Sequence, residues 1–127
     1  MLDTTCPLRH LRPVTHAIII TDRAGTIVAW DGGAEELLGY RAPRAIGQRV
    51  DLVIPEHLRE AHWTGFHRAM RSPTMHDRAA DLPVLCGDGE IRVFAGRLLV
   101  LIDALGEALG AMAIFTDAGT TGRRPFG

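Results

Sequence analysis

Apolar positions along this chain follow two periods, and the changes from one to the other mark out its elements. AIIITD at 17–22 is a β-branched run. The turn sequence RAGT follows at 23–26, and then IVAWD at 27–31. Two short apolar runs around a glycine turn predict a β-hairpin. Gly32 and Gly33 break the second strand, and AEELLGY then reads as a short helix closed by Gly39, with Leu37 and Leu38 facing inward. Residues 43–47 predict one more turn of helix, and Val50, Leu52, Val53 and Ile54 lead into PEHLREAHWTGFHRAM at 55–70.

That segment predicts the longest helix. Pro55 suits a first helical position, where its fixed φ helps and its missing N–H is not needed. Leu58, Ala61, Phe66, Ala69 and Met70 recur at helical spacing and make one apolar stripe. His62 lies inside the stripe, one turn after Leu58 and one before Phe66. His57 is in the first turn, and His67 shares its side with Glu60, Thr64 and Arg71.

Ser72 and Pro73 end the helix. Residues 78–86 read as a strand, weakly, because Pro83 lies within it. GDGE at 87–90 is a strong turn signal. The long apolar run at 91–102, a turn at 103–107 and a last run at 109–116 complete the pattern. The order β-β-α-α-α-β-β-β predicts an α+β domain, an antiparallel sheet with short helices on one face. Residues 1–14, with Leu8, Leu11 and Val14 broken by Pro7 and Pro13, are expected as an N-terminal cap. Residues 15–118 are expected as the domain proper and 119–127, polar and glycine-rich, as a flexible tail.

Composition narrows the function. With 127 residues, 46% of them hydrophobic, the chain forms one domain with a real core. A net charge of −1 and scattered arginines lack the basic stripe that a nucleic-acid partner requires. No apolar run reaches the ~18 residues of a membrane span and no signal peptide is visible, so a cytoplasmic protein is expected. Cys6 and Cys86 have no CxxC spacing, which argues against zinc or a disulfide scaffold. His57, His62, His67, His76, Asp77 and Asp81 bring no nucleophile motif, metal-site spacing or phosphate loop with them, so no enzyme is expected.

His62 is the main candidate for chemistry. An inward imidazole has two ordinary fates: a core histidine with its N–H bonded to a carbonyl, or an axial ligand to haem iron. The first is the commoner for a lone histidine.

ITDRAGTIVAWDGGAEELLGY resembles the opening of a PAS sensor domain, where a hairpin runs into an acidic short helix ending in Gly-Tyr. Gly47, the Ile54-Pro55-Glu56 helix entry and the Asp88-Gly89 turn before a long strand also fit, and the resemblance covers about residues 15–117. Asp31 stands where the family often has asparagine; either side chain can cap local backbone N–H groups. The resemblance implies a five-stranded antiparallel sheet in the order 2-1-5-4-3, with a ligand pocket between the sheet and the long helix. It implies sensing of small molecules, light or redox state, or dimerisation.

Within the family, PEHLREAH resembles the helix of rhizobial oxygen-sensing haem kinases, in which Pro-Glu-x-x-Arg-x-x-His supplies the proximal ligand; His62 falls on that histidine. Trp63 and Gly65-Phe66 are similar to carbon-monoxide-sensing haem PAS regulators. The oxygen-binding arginine of the rhizobial sensors would fall on Ala80. Arg78, two residues earlier on the same strand face, is the candidate in its place, with a solvated surface charge as its other reading. Leu98 faces the pocket, and Gly96 leaves room for a flat ligand unless it marks a bulge. Met70, Met75, Cys86 and Met112 are weak candidates for a sixth iron ligand. The Asn-Cys-Arg-Phe motif of flavin photosensors is absent, so no flavin is expected.

The leading expectation is therefore a sensory module holding haem b through His62, with Leu58, Phe66, Arg78, Gly96 and Leu98 around the cofactor. It would respond to a diatomic gas (O2, CO or NO) or to redox state and pass the signal to a downstream partner protein. The alternative is a haem-free module for homodimerisation and protein interaction, or one binding another small ligand. An apolar outer sheet face calls for a partner in either case, a second copy of the chain being the expected one.

Overall fold

The computed structural model describes residues 15–73, 77–123 and 125. The segment expected as an N-terminal cap, 1–14, lies outside them, as do Met75 and His76. In chain order the elements are β1 (His16–Asp22), β2 (Ile27–Trp30), α1 (Gly32–Leu38), α2 (Ala42–Ala45), α3 (Arg59–Arg71), β3 (Asp77–Leu85), β4 (Ile91–Ile102) and β5 (Ala108–Thr116). Two 3-10 turns, Val50–Val53 and Glu56–Leu58, lead into α3. The strands form one antiparallel sheet in the order β2-β1-β5-β4-β3.

Asp31 joins hairpin to helix. Its Oδ1 accepts the N–H of Ala34 at 2.8 Å, capping α1, and the N–H of Ile18 in β1 at 3.0 Å. At its other end α1 stops at Gly39, whose backbone is left-handed. Tyr40 follows, buried, and its hydroxyl lies 3.2 Å from the carbonyl of Leu52 and 3.1 Å from that of Leu85. Trp30 donates its indole N–H to the Tyr40 carbonyl at 2.9 Å. These bonds tie the connecting segment to both the hairpin and β3.

Alternate residues of the sheet turn toward the helices. Ala17 and Ile19 of β1, Ala80, Leu82 and Val84 of β3, Phe94 of β4 and Phe115 of β5 are buried there with Leu38, Val50 and Val53. The strand that Pro83 weakened in the sequence pattern is real because β3 is at the sheet edge, where a missing N–H costs no ladder bond.

One expectation needs correction. The segment 55–70 is not one helix. Pro55 is extended at ψ 141°, residues 56–58 make a 3-10 turn, and α3 starts at Arg59. Arg59 holds this tighter entry: its Nε donates to the Ile54 carbonyl at 3.0 Å and its Nη2 to that of Asp51 at 3.4 Å. Residues 120–123, in the stretch expected as a flexible tail, bond to β3. Asp81 accepts the hydroxyl and N–H of Thr121 at 2.9 and 2.6 Å, and the Thr120 hydroxyl at 2.5 Å. The Asp81 N–H, on the free edge of β3, donates to the Arg123 carbonyl at 2.7 Å. These bonds hold the Asp81 carboxyl down at about 2. Among the described residues no helix is long and apolar enough to cross a membrane.

Candidate functional site

A cavity of about 120 Å³ lies between α3 and the inner face of the sheet. Its wall is built by periodicity from several elements. From the helix side come Leu58, His62 and Phe66; Ile19 and Thr21 come from β1 and Leu98 from β4. Ala111, Ala113 and Phe115 of β5 form the floor, and Pro125 of the tail adds to the rim. Small residues at 111 and 113 leave the space open. Of the described residues lining it, only Thr21 and His62 have polar side chains.

Both are unsatisfied. Thr21 is 6% exposed, and among the described residues neither its Oγ1 nor His62 Nδ1 has a hydrogen-bond partner. Most buried polar atoms are paired, so two orphans on one apolar cavity demand a physical reason. The His62 ring packs edge-on to Trp63 at 4.8 Å and stacks on Phe66 at 5.9 Å. Burial lowers its pKa below the ordinary value; the charge of Asp51 opposes this, and His67 and Arg49 add to it. The ring is therefore neutral at pH 7. Among the described residues Nδ1 meets no carbonyl, and the cavity is smaller than a porphyrin.

The misfit with haem b is one of space and charge. A cavity near 150 Å³ accepts benzene, and this one is smaller. The described residues lining it include no lysine or arginine to meet two carboxylates. Arg78, expected beside the cofactor, is exposed and does not reach the wall. Its position is inward in register but lies near the open end of β3, so the long side chain turns to water. Gly96 is also displaced from the expected role. The side chain of Leu82 occupies the space above it, so a Cβ at 96 would collide with Leu82 Cδ1. The missing side chain accommodates a core leucine, not a flat ligand. The structure thus brings Leu58, His62, Phe66 and Leu98 together, and leaves Arg78 and Gly96 out of the wall.

One residue was missed and the packing of another misread. Thr21 follows Ala17 and Ile19 at strand spacing, so alternation alone points it inward. Trp63 is half-buried where the stripe had placed Ala61, which is exposed. The Trp63 indole donates to Asp51 Oδ1 at 2.6 Å, its face lies 4.3 Å from the Arg49 guanidinium, and its ring rests on Gly25 in the β1–β2 turn.

A family model described as PAS fold matches residues 11–123. The chain is 26% identical to the PAS domain of a protein from Colwellia psychrerythraea, with a TM-score of 0.70 over 83% of this chain and 86% of that one. It also superposes on the PAS domain of the Cronobacter turicensis RpfR quorum-sensing receptor, solved in complex with BDSF. There the identity is 20% and the TM-score 0.58, over 80% of this chain and 90% of that one, a likeness of fold alone. An uncharacterized protein of Azorhizobium caulinodans is 31% identical over 78 residues, which are 59% of this chain; the chain spans 11% of that relative's length.

Proposed function

The chain belongs to the PAS-fold family, and on that basis we propose that it is a sensory module whose signal is a small molecule held in the cavity between α3 and the sheet. The observation that carries this reading is the pair of unpartnered polar atoms, Thr21 Oγ1 and His62 Nδ1, facing an otherwise apolar cavity. A core selected only for stability would fill such a space or pair such atoms. A relative of the same fold, the RpfR receptor domain, is described as holding BDSF, so the architecture has room for a ligand. Occupancy would stabilise the packing of α3 on the sheet, and a change there is what a downstream partner would read.

The haem and gas reading rests on the resemblances of PEHLREAH and of Trp63 with Gly65-Phe66, and the cavity favours a smaller ligand. One preparation tests both. The full chain, purified from cells supplied with a haem precursor, is expected to show no Soret band. It is also expected to gain thermal stability with small apolar compounds, and Ala113→Leu, which fills the cavity, should abolish that gain. A Soret band lost in His62→Ala and kept in His67→Ala would overturn the small-ligand reading in favour of haem.

The outer sheet face supports a homodimer as well. Ile18, Ile20, Leu99, Leu101, Met112 and Ile114 alternate with the inward residues and are only half-buried, and Val93 beside them is 63% exposed. A second copy of the chain suits this face: a twofold axis lays apolar strand on apolar strand, with Arg97 the charged group on the central stretch of β4.

A further inference from the structure

We infer that the ligand is a small uncharged molecule with an apolar body and a single hydroxyl group, of the phenol or short-chain alcohol class, the hydroxyl seated between His62 and Thr21. This deepens the proposed function and rests on the reading of the cavity as a ligand site.

Size comes first. A volume of about 120 Å³, a little below the cavity near 150 Å³ that takes up benzene, holds an apolar body of about five or six non-hydrogen atoms. Charge comes next. Among the described residues lining the cavity there is no lysine, arginine, aspartate or glutamate. A carboxylate or ammonium would be buried there without a fixed counter-charge, and that is heavily penalised. His62 does not supply the charge, because burial keeps its ring neutral.

The number and kind of polar groups follow from the two orphans. A neutral imidazole nitrogen without a proton accepts, and a threonine hydroxyl donates or accepts. A single hydroxyl on the ligand satisfies both, donating to His62 Nδ1 and accepting from Thr21 Oγ1. A wholly apolar ligand leaves both buried and unpaired. A ligand with several polar groups leaves its own groups facing Phe66, Leu98 and Ala113.

The test is an amide chemical-shift titration of the full 127-residue chain at pH 7.5 with three probes of one shape: benzene, phenol and benzoate. Phenol is expected to bind about tenfold tighter than benzene, the ratio of two hydrogen bonds of ordinary strength, and benzoate more weakly than either. Thr21→Val keeps the shape of the side chain and removes its hydroxyl. It should reduce the phenol preference about threefold and leave benzene unchanged. Equal binding of benzene and phenol would overturn the hydroxyl assignment while leaving the cavity as a ligand site. Benzoate as the tightest probe would overturn the uncharged class. Failure of all three to bind would overturn the cavity reading itself. The three wild-type titrations decide the question even if Thr21→Val does not fold.

Discussion

Trp63→Phe measures what holds the cavity's helical wall in place. Three contacts are lost or weakened. The first is the indole N–H to Asp51 Oδ1 at 2.6 Å. A bond to a carboxylate can contribute 1.5–3 kcal/mol, but the Asp51 side chain is 35% exposed, so about 1 kcal/mol is the appropriate figure after solvent screening. The second is the Arg49 guanidinium, 4.3 Å from the ring; with Arg49 59% exposed, its stacking contributes about 0.5 kcal/mol, and phenylalanine retains part of it. The third is the packing of the larger ring on Gly25 and Phe66, about 0.8 kcal/mol for roughly one buried methylene equivalent. The sum is about 2 kcal/mol. At about 2.1 cal/mol/K of unfolding entropy per residue, 127 residues give a fall in Tm of about 7 °C. Urea titration followed by far-UV circular dichroism reads the free energy directly. A double-mutant cycle with Asp51→Ala should return a coupling of about 1 kcal/mol. A loss below about 0.5 kcal/mol, or no coupling to Asp51, would refute the view that Trp63 pins α3 to the chain entering it.

Two further outcomes are expected. Light scattering at high protein concentration should give a dimer mass, and substitution of Met112 and Ile114 on the outer face by lysine should give a monomer; a wild-type monomer would refute the sheet-face contact. The second concerns pH. Burial lowers the folded pKa of His62 below its unfolded value near 6.5, so between those two values the unfolded chain binds more protons. Stability therefore falls as pH drops through 6.5 and stops falling below the folded pKa, with a slope of at most about 1.4 kcal/mol per pH unit from this one group. His62→Leu, compared with wild type by urea titration from pH 5 to 7.5, should lack that component. A variant with an unchanged pH slope would show that His62 is solvated in the folded state.

Sequence patterning made the fold legible because the signals were local and agreed with each other. The Gly25 turn, the Gly39 stop and the Gly89 turn act through their own backbone and the Asp31 cap through its side chain. With reversals fixed, alternation put Leu98 of β4 on the pocket face. Where the reading fell short, the deciding contact was distant in sequence. Residues 119–127 look like any polar tail. Part of them bonds to Asp81, about 40 residues earlier, whose N–H is free only because β3 is an edge strand. The helix at 55–70 has good periodicity throughout, yet its first turn tightens because Arg59 reaches back to carbonyls at 51 and 54.

The site divides along the same line. Helical spacing identified His62, and nothing further along α3 could say what its nitrogen meets. That depends on register across the sheet. Ile19 stands opposite Ala113, so Thr21 falls opposite Ala111, and the two alanines leave the floor of the cavity low beneath His62. Gly96 misled for a related reason. A glycine on the inner face reads as space for a ligand, but its neighbour across the ladder is Ala80, and Leu82, two residues on, leans into the gap. Whether a missing side chain makes a cavity or seats a neighbour is decided by the strand beside it. Here small residues at 111 and 113 make the cavity and the glycine at 96 does not, so a side chain enlarged on β5 should close the site, whereas trimming Leu82 should extend it toward Gly96.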